Sequence, residues 1–210
     1  MERASPAVLI DRWVSKVAPE AADWLNTRVA AIAGETLPRT VFIAFAQASR
    51  HAGHAALRLS PADRADADSA RPGWHPEPWT ATDALRARLL LAVPAVEAAP
   101  FVLALDRLAS AADLGELVAL YRALPLLPHP ERLAARAAEG VRSNIQAVFD
   151  AVALDNPYPA EQLDDSAWNQ LVLKALFVGS PLQRIAGLDR RANPRLTRML
   201  CDYAHERWAA

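Results

Sequence analysis

The sequence of 210 residues contains a single cysteine, Cys201, which excludes an intramolecular disulfide framework and a zinc site built from several cysteines. No apolar stretch reaches the roughly 18 residues that a transmembrane helix requires, so we predict no membrane segment. The opening residues, MERASPAVLIDRW, predict no signal peptide, because Asp11 and Arg12 interrupt the apolar run early. These absences lead us to expect a cytoplasmic protein.

An excess of charge of one sign is also lacking. The chain has 23 basic and 24 acidic residues and a formal net charge of −1, and only Lys16 and Lys174 are lysines. A balanced charge creates no field that attracts nucleic acid, so we expect no nucleic-acid partner. The hydrophobic content of 52% excludes a disordered chain and is enough for a buried core.

Residues that typically start or end helices recur along the chain. Ser5-Pro6, Ser60-Pro61 and Thr80 with Asp83 each predict the start of a helix. Ser143 and Gln146 predict a capping box for a later helix. Because no segment alternates with a period of two residues between turn signals, we predict an all-α fold.

From residue 95 onward, short helical segments follow one another in pairs. Helices joined by short turns lie antiparallel, and each pair needs a neighbour to bury its second face, which predicts an irregular HEAT-like α-solenoid. The pairs differ in length and share no strict consensus, so a compact helical bundle is the alternative. We predict one domain over residues 1–210, with N-terminal helices in 1–94 and repeat-like helix pairs in 95–210.

Several long segments carry a family resemblance. The segments LGELVALYRALPLLPHPER, AVALDNPYPAE, AWNQLVLKALFVGSPL and GLDRRANPRLTRMLCDYAHERWAA resemble the EboA-domain family of bacterial proteins. The resemblance implies a pathway that makes or exports secondary metabolites. It also implies neighbouring genes for a prenyltransferase-like membrane protein, a sugar-phosphate-cyclase-like enzyme and a hydrolase-like enzyme. It carries over no catalytic residue.

A group of arginines flanks the start of the last helix, which Asn193-Pro194 predicts to begin at residue 194. Free backbone N–H groups and the helix dipole favour anions there, and arginine forks suit phosphate or carboxylate groups. We therefore predict an anion-binding site formed by Arg184, Arg190, Arg191 and Arg195. The alternative is that these arginines pair with acidic side chains on the surface.

A second set of side chains lies on the last helix or on the helices before it. We predict that they line a groove if the helices form an array; the set comprises Tyr121, Arg122, Arg142, Asn144, Trp168, Asn169, Lys174, Asp202 and His205. For the polar side chains of the helix that contains Trp168, the sequence favours a different interpretation, in which they cap or bridge neighbouring helices, since buried amides need hydrogen-bond partners. On the last helix, Leu196, Met199, Leu200 and Tyr203 fall on one face and His205 on the opposite face.

Two proline-rich loops carry aromatic side chains: RPGWHPEPW at 71–79 and DNPYP at 155–159. We predict that Trp74, Trp79 and Tyr158 cover the core, and the alternative is a docking surface for a protein partner.

No catalytic or metal-binding constellation is evident. Cys201 and His205 have the spacing of helical neighbours but no third orienting group, and His51 and His54 have no third ligand. We therefore predict no catalytic residue, no metal and no cofactor.

These observations favour a non-enzymatic helical-repeat accessory or scaffold protein in a secondary-metabolite pathway. Its expected partner is a pathway protein, which includes a membrane protein, or a small anionic metabolite. The alternative is an enzyme that acts on a phosphorylated or prenylated metabolite.

Overall fold

The structure is a computed structural model that describes residues 4–34 and 39–209. The described residues form twelve α-helices and no β-strand, which confirms the all-α prediction. The helices are α1 (Pro6–Val17), α2 (Pro19–Ala33), α3 (Arg39–Ala52), α4 (Pro61–Ala70), α5 (Ala81–Leu90), α6 (Ala98–Ala111), α7 (Leu114–Ala123), α8 (Ala134–Arg142), α9 (Gln146–Ala153), α10 (Tyr158–Gln162), α11 (Asp165–Val178) and α12 (Pro194–Ala209). Short 3-10 helices occupy Leu124–Leu126, Pro130–Arg132 and Leu182–Arg184.

The predicted helix starts are confirmed at three places. Ser5 caps α1, and Ser60 and Thr80 form capping boxes at the starts of α4 and α5. The capping box predicted for Ser143 and Gln146 is wrong. Helix α9 begins one residue after Ile145, and the Ser143 hydroxyl accepts the Ile145 N–H at 3.1 Å within the preceding turn.

The first helices pack around a central helix, and the later helices pack in a row. Helix α5 lies at the centre of the first half, where it contacts α1, α2, α3 and α7. Beyond it, α7 packs on α9, α9 on α11 and α11 on α12, while α6, α8 and α10 lie beside this row. The arrangement agrees with both a helical bundle and a solenoid. The division of the chain at residue 94 stays a prediction.

Helix α5 is buried along almost its whole length, although it carries charged side chains. The Asp83 carboxylate accepts hydrogen bonds from the Thr80 backbone N–H at 2.8 Å and from Arg122 Nη1 of α7 at 2.7 Å. The Arg86 guanidinium donates to the Phe45 carbonyl of α3 at 3.2 Å and lies 3.6 Å from Glu116 of α7. Buried charges need such partners, and here the partners join α5 to helices on both sides.

The aromatic side chains of the two proline-rich loops belong to the core. Trp74, Trp79 and Tyr158 are at most 3% exposed, and Trp74 lies 5.5 Å from the ring of Trp13 and 5.7 Å from that of Trp79. This burial confirms that the three rings cover the core. They are not accessible to a docking partner.

None of the helices in residues 4–34 and 39–209 combines the length and the hydropathy needed to span a membrane. The buried apolar side chains form one cluster that extends from Leu9 in α1 to Leu196 in α12.

Helices α8 and α9 approach each other closely at Gly140. A Cβ atom added there would lie 2.5 Å from Val152 Cγ2 and 2.8 Å from Tyr121 Cε1. Both neighbouring side chains are buried, so they have little room to move.

We expect Gly140→Ala to lower the free energy of unfolding by about 1–3 kcal/mol, because the added methyl group overpacks the junction of α7, α8 and α9. Urea unfolding followed by circular dichroism measures the change. Gly34→Ala is the matched control, since a Cβ there meets no atom of the described residues closer than 3.7 Å and the backbone φ is −90°. Equal stability of Gly140→Ala and the wild type would contradict the close approach.

The Asp63 carboxylate fixes α4 against α1. It accepts hydrogen bonds from Trp13 Nε1 at 3.0 Å and Lys16 Nζ at 3.2 Å in α1, and from the Ser60 hydroxyl at 2.7 Å. Burial by itself raises the pKa of Asp63, but the hydrogen bonds from Ser60, Lys16 and Trp13 outweigh it and lower that pKa well below its ordinary value of 3.8.

Because the folded-state pKa of Asp63 is depressed, its stabilisation is present above pH 3.8 and is lost as the pH falls below that value. We expect Asp63→Asn to lower the free energy of unfolding by about 1.5–3 kcal/mol at neutral pH, and the deficit to shrink below pH 3.8. Urea titrations across this pH range test both points. Asp66→Asn, at an exposed ion pair with Arg12, should cost at most about 1 kcal/mol.

Candidate functional site

An open cleft of about 440 Å³ lies between α9, α11 and α12. Its walls are mainly apolar and aromatic: Leu173, Phe177 and Val178 of α11, Phe149 of α9 and Tyr203 of α12. Polar side chains lie on the side formed by the α8–α9 turn and at one end of the α11 wall: Ser143, Asn144, Gln146 and Gln170. A volume in the range of roughly 300–1,000 Å³ with few polar groups is typical of small-molecule sites.

Among the described residues that line this cleft, Lys174 alone carries a positive charge. Its Nζ donates hydrogen bonds to the carbonyl oxygens of Val141 at 2.6 Å and Ser143 at 2.7 Å, which belong to the C-terminal end of α8. Nζ also lies 5.0 Å from the centre of the Phe149 ring. Helix C-terminal carbonyls and aromatic faces both attract a cation, so these contacts hold the ammonium in place.

No carboxylate among the described residues forms an ion pair with Lys174. An ammonium group has three N–H donors, and the two carbonyl bonds leave one of them for another acceptor. Burial lowers the pKa of Lys174 below its ordinary value of 10.5. The cleft therefore contains a half-buried positive charge with no carboxylate partner in residues 4–34 and 39–209, which suits an anionic ligand group.

Local sequence sets the length and position of α11. The Asp164 carboxylate caps its start by accepting the Ala167 N–H at 2.8 Å, and Gly179 ends it with a φ of 78°. Between these ends, Gln170, Lys174 and Phe177 fall on one side of the helix, because they are spaced by three and four residues.

Helix α12 forms the second wall and is fixed to α11 by a pair of asparagines. The side chains of Asn169 and Asn193 exchange hydrogen bonds at 2.9 and 3.2 Å, and Asn193 Oδ1 also accepts the Leu196 N–H at 2.9 Å. This pair confirms that polar groups of α11 bridge to a neighbouring helix. In this arrangement the ring centroids of Tyr203 and Phe177 lie 6.4 Å apart, with the rings edge to face.

The predicted faces of α12 are confirmed. Leu196 is buried, Met199, Leu200 and Tyr203 are half-buried on the same side, and His205 and Asp202 are exposed on the other side. The ring of His205 lies 6.0 Å from that of Trp208, away from the cleft.

The four arginines of the predicted anion site have different surroundings. Arg191 packs over the Trp168 ring at 5.0 Å, donates to the Leu163 carbonyl at 2.6 Å and pairs with Asp165 at 2.5 Å. Arg184 pairs with Asp155. Two of the four are thus engaged by acidic side chains, as in the alternative interpretation. The side chains of Arg190 and Arg195 are exposed and bond to no residue within the described ranges. Anion binding by this group stays a prediction.

The predicted groove residues separate into distinct places. Lys174 and Asn144 line the cleft, and Arg142 lines a smaller pocket beside it. Trp168, Asn169 and Tyr121 are buried, at most 3% exposed, and Arg122 pairs with Asp83. These four and the exposed Asp202 and His205 do not line the cleft.

Sequence reasoning missed Phe149, Phe177 and Gln146 as members of the site. Phe149 and Phe177 belong to apolar helical patterns that predict core positions, and only packing reveals that Phe177 is 70% exposed beside the cleft. The same pattern predicted the apolar face of α12 that contains Tyr203. Nothing in the sequence indicated that this face borders a cavity.

Within the described ranges, no group of three or more His, Cys, Asp and Glu side chains is arranged to hold a metal ion.

We expect the pKa of Lys174 to lie below 10.5, because burial disfavours the charged form. Carbon-13 NMR of protein labelled only in lysine gives two sets of side-chain signals, and Lys16→Met assigns them. As the pH rises through the lowered pKa, Lys174 loses its charge and with it any attraction for an anion. A pKa at or above 10.5 would contradict the half-buried environment.

The family model described as metabolite traffic protein EboA matches residues 7–210, nearly the whole chain. No curated protein and no solved structure matches the chain. Together with the all-helical fold, the match over this length establishes that the chain belongs to the EboA family.

Proposed function

We propose that this protein is a non-catalytic accessory protein that binds a small metabolite in the cleft between α9, α11 and α12. The metabolite is mainly apolar and carries one anionic group, which binds Lys174. The protein would act in the cytoplasm, in a pathway that makes or exports a secondary metabolite. The family description as metabolite traffic proteins supports this role.

The observation that carries the proposal is the environment of Lys174. Two backbone carbonyls and an aromatic ring hold the ammonium, but no carboxylate among the described residues neutralises it. A charge in apolar surroundings is costly unless it is paired, and a bound anion would supply the missing partner. A charge-assisted hydrogen bond from the remaining N–H would fix the orientation of the ligand.

The rest of the cleft suits the body of such a ligand. Leu173, Phe177 and Tyr203 offer apolar surface, while Asn144 and Gln170 offer hydrogen-bonding groups at the edge. The contrast between one positive charge and apolar walls favours an amphiphilic molecule over a sugar or a nucleotide, which would need many more polar contacts.

Two dyes with the same ring system test this proposal. 8-Anilinonaphthalene-1-sulfonate carries an anionic group, whereas N-phenyl-1-naphthylamine is its neutral counterpart, and both fluoresce on entering apolar sites. We expect Lys174→Met to weaken binding of the sulfonate about tenfold to a hundredfold, because a charge-assisted hydrogen bond is lost. Binding of the neutral dye should be unchanged or tighter.

Lys16→Met is the matched control, since it removes the only other lysine, in α1, and changes the net charge equally. It should leave the binding of both dyes unchanged. Phe177→Ala should weaken both dyes, because it removes an apolar wall. If Lys174→Met weakens neither dye, or weakens both equally, Lys174 does not bind an anion and the proposal is wrong.

A further inference from the structure

Along the side of α11 that faces the cleft, the side chains are first apolar, then polar and then apolar again. Ala167 comes first, Gln170 and Lys174 follow, and Phe177 and Val178 come last. These spacings keep the five side chains on one side of the helix. At 1.5 Å per residue the series extends over about 16 Å, and its charge lies inside the series rather than at an end.

A smaller pocket of about 180 Å³ extends the cleft toward the start of α11. Ala138 and Val141 of α8 form one wall together with the exposed Arg142, and Leu163 and Ala167 form the other. Gln170 lines both the pocket and the main cleft, and Val141 also supplies a carbonyl to Lys174. The two spaces are therefore neighbours on either side of the polar pair Gln170 and Lys174.

We propose that the cleft and this side pocket form one groove for a metabolite whose single anionic group lies between two apolar arms of unequal length. This inference rests on the proposed function, because it assumes that the anion binds Lys174. The longer arm would occupy the main cleft along Leu173, Phe177 and Tyr203. The shorter arm would pass Gln170 and enter the side pocket.

The physical reason is the burial of apolar surface. A ligand with its charge at one end fills only one of the two spaces while its anion stays at Lys174, and it leaves the other space to water. Each additional methylene group buried in an apolar site tightens binding roughly threefold to fourfold. A ligand with an internal anion fills both spaces, so it buries more apolar surface and binds more tightly.

Two isomeric carboxylates with the same atoms test this inference. Dodecanoate has its carboxylate at the end of one chain, whereas 2-butyloctanoate has it between a butyl and a hexyl arm. Isothermal titration calorimetry, below the concentration at which either acid forms micelles, measures both affinities. We expect 2-butyloctanoate to bind at least about tenfold more tightly than dodecanoate, because its butyl arm enters the side pocket.

Filling the side pocket should remove this preference. Ala167→Leu and Ala138→Leu each place extra atoms in it from opposite walls, so the second variant serves if the first does not fold. In both variants, 2-butyloctanoate should lose its advantage while dodecanoate binds as before. Ala65→Leu, on the exposed surface of α4, is the control and should preserve the preference.

The outcomes separate this inference from the proposed function. If dodecanoate binds as tightly as its branched isomer, and Lys174→Met weakens both, the two-armed ligand is wrong and the anion site at Lys174 stands. If neither acid binds, or if Lys174→Met changes neither affinity, both proposals are wrong. A preference for the branched acid that survives Ala167→Leu and Ala138→Leu would also overturn the assignment of the side pocket.

Discussion

The buried charges of α5 join it to α7 on one side and to α3 on the other. Asp83 binds Arg122, and Arg86 lies beside Glu116, so α5 is tied twice to α7, while the Phe45 carbonyl ties Arg86 to α3. Neither charge could remain buried without its partners, because an uncompensated charge in the interior is strongly destabilising. The pairs therefore require α7 to lie on α5 in one register, and the following helices pack from there.

The packing of α7 on α5 also affects the candidate site, because α9 packs on α7 and α8 packs on α9. Gly140 allows α8 to approach Tyr121 of α7 and Val152 of α9 closely. The same helix ends two residues later, where the carbonyl oxygens of Val141 and Ser143 meet Lys174 of α11. A shift of α8 by even a fraction of a turn would remove both acceptors from the lysine. The packing of α8 against α7 and α9 thus helps to hold the positive charge of the cleft in place.

Arg191 and Lys174 differ in how far the protein itself occupies their hydrogen-bond donors. Arg191 is one of the four arginines of the predicted anion site, yet it donates to the Leu163 carbonyl and pairs with Asp165, and its plane lies on the Trp168 ring. It holds the segment before α12 against α10 and α11. Compared with Arg191, Lys174 has fewer acceptors within the protein, two carbonyl oxygens and no carboxylate among the described residues, so its charge is more available to a ligand.

The sequence by itself determined the helical class, most helix boundaries and the faces of α12, because capping residues and helical periodicity act over a few neighbouring residues. Ser60, Thr80 and Asn193 start their helices for reasons that lie within four residues of each. The family membership also followed from the sequence.

Tertiary structure alone decided which charges are paired and where a cavity opens. Asp155 is remote in sequence from Arg184, and the acceptors of Lys174 lie on another helix, so no local pattern predicts either contact. The cleft exists only because α9, α11 and α12 leave space between them, and that depends on side-chain volumes brought together from separate parts of the chain.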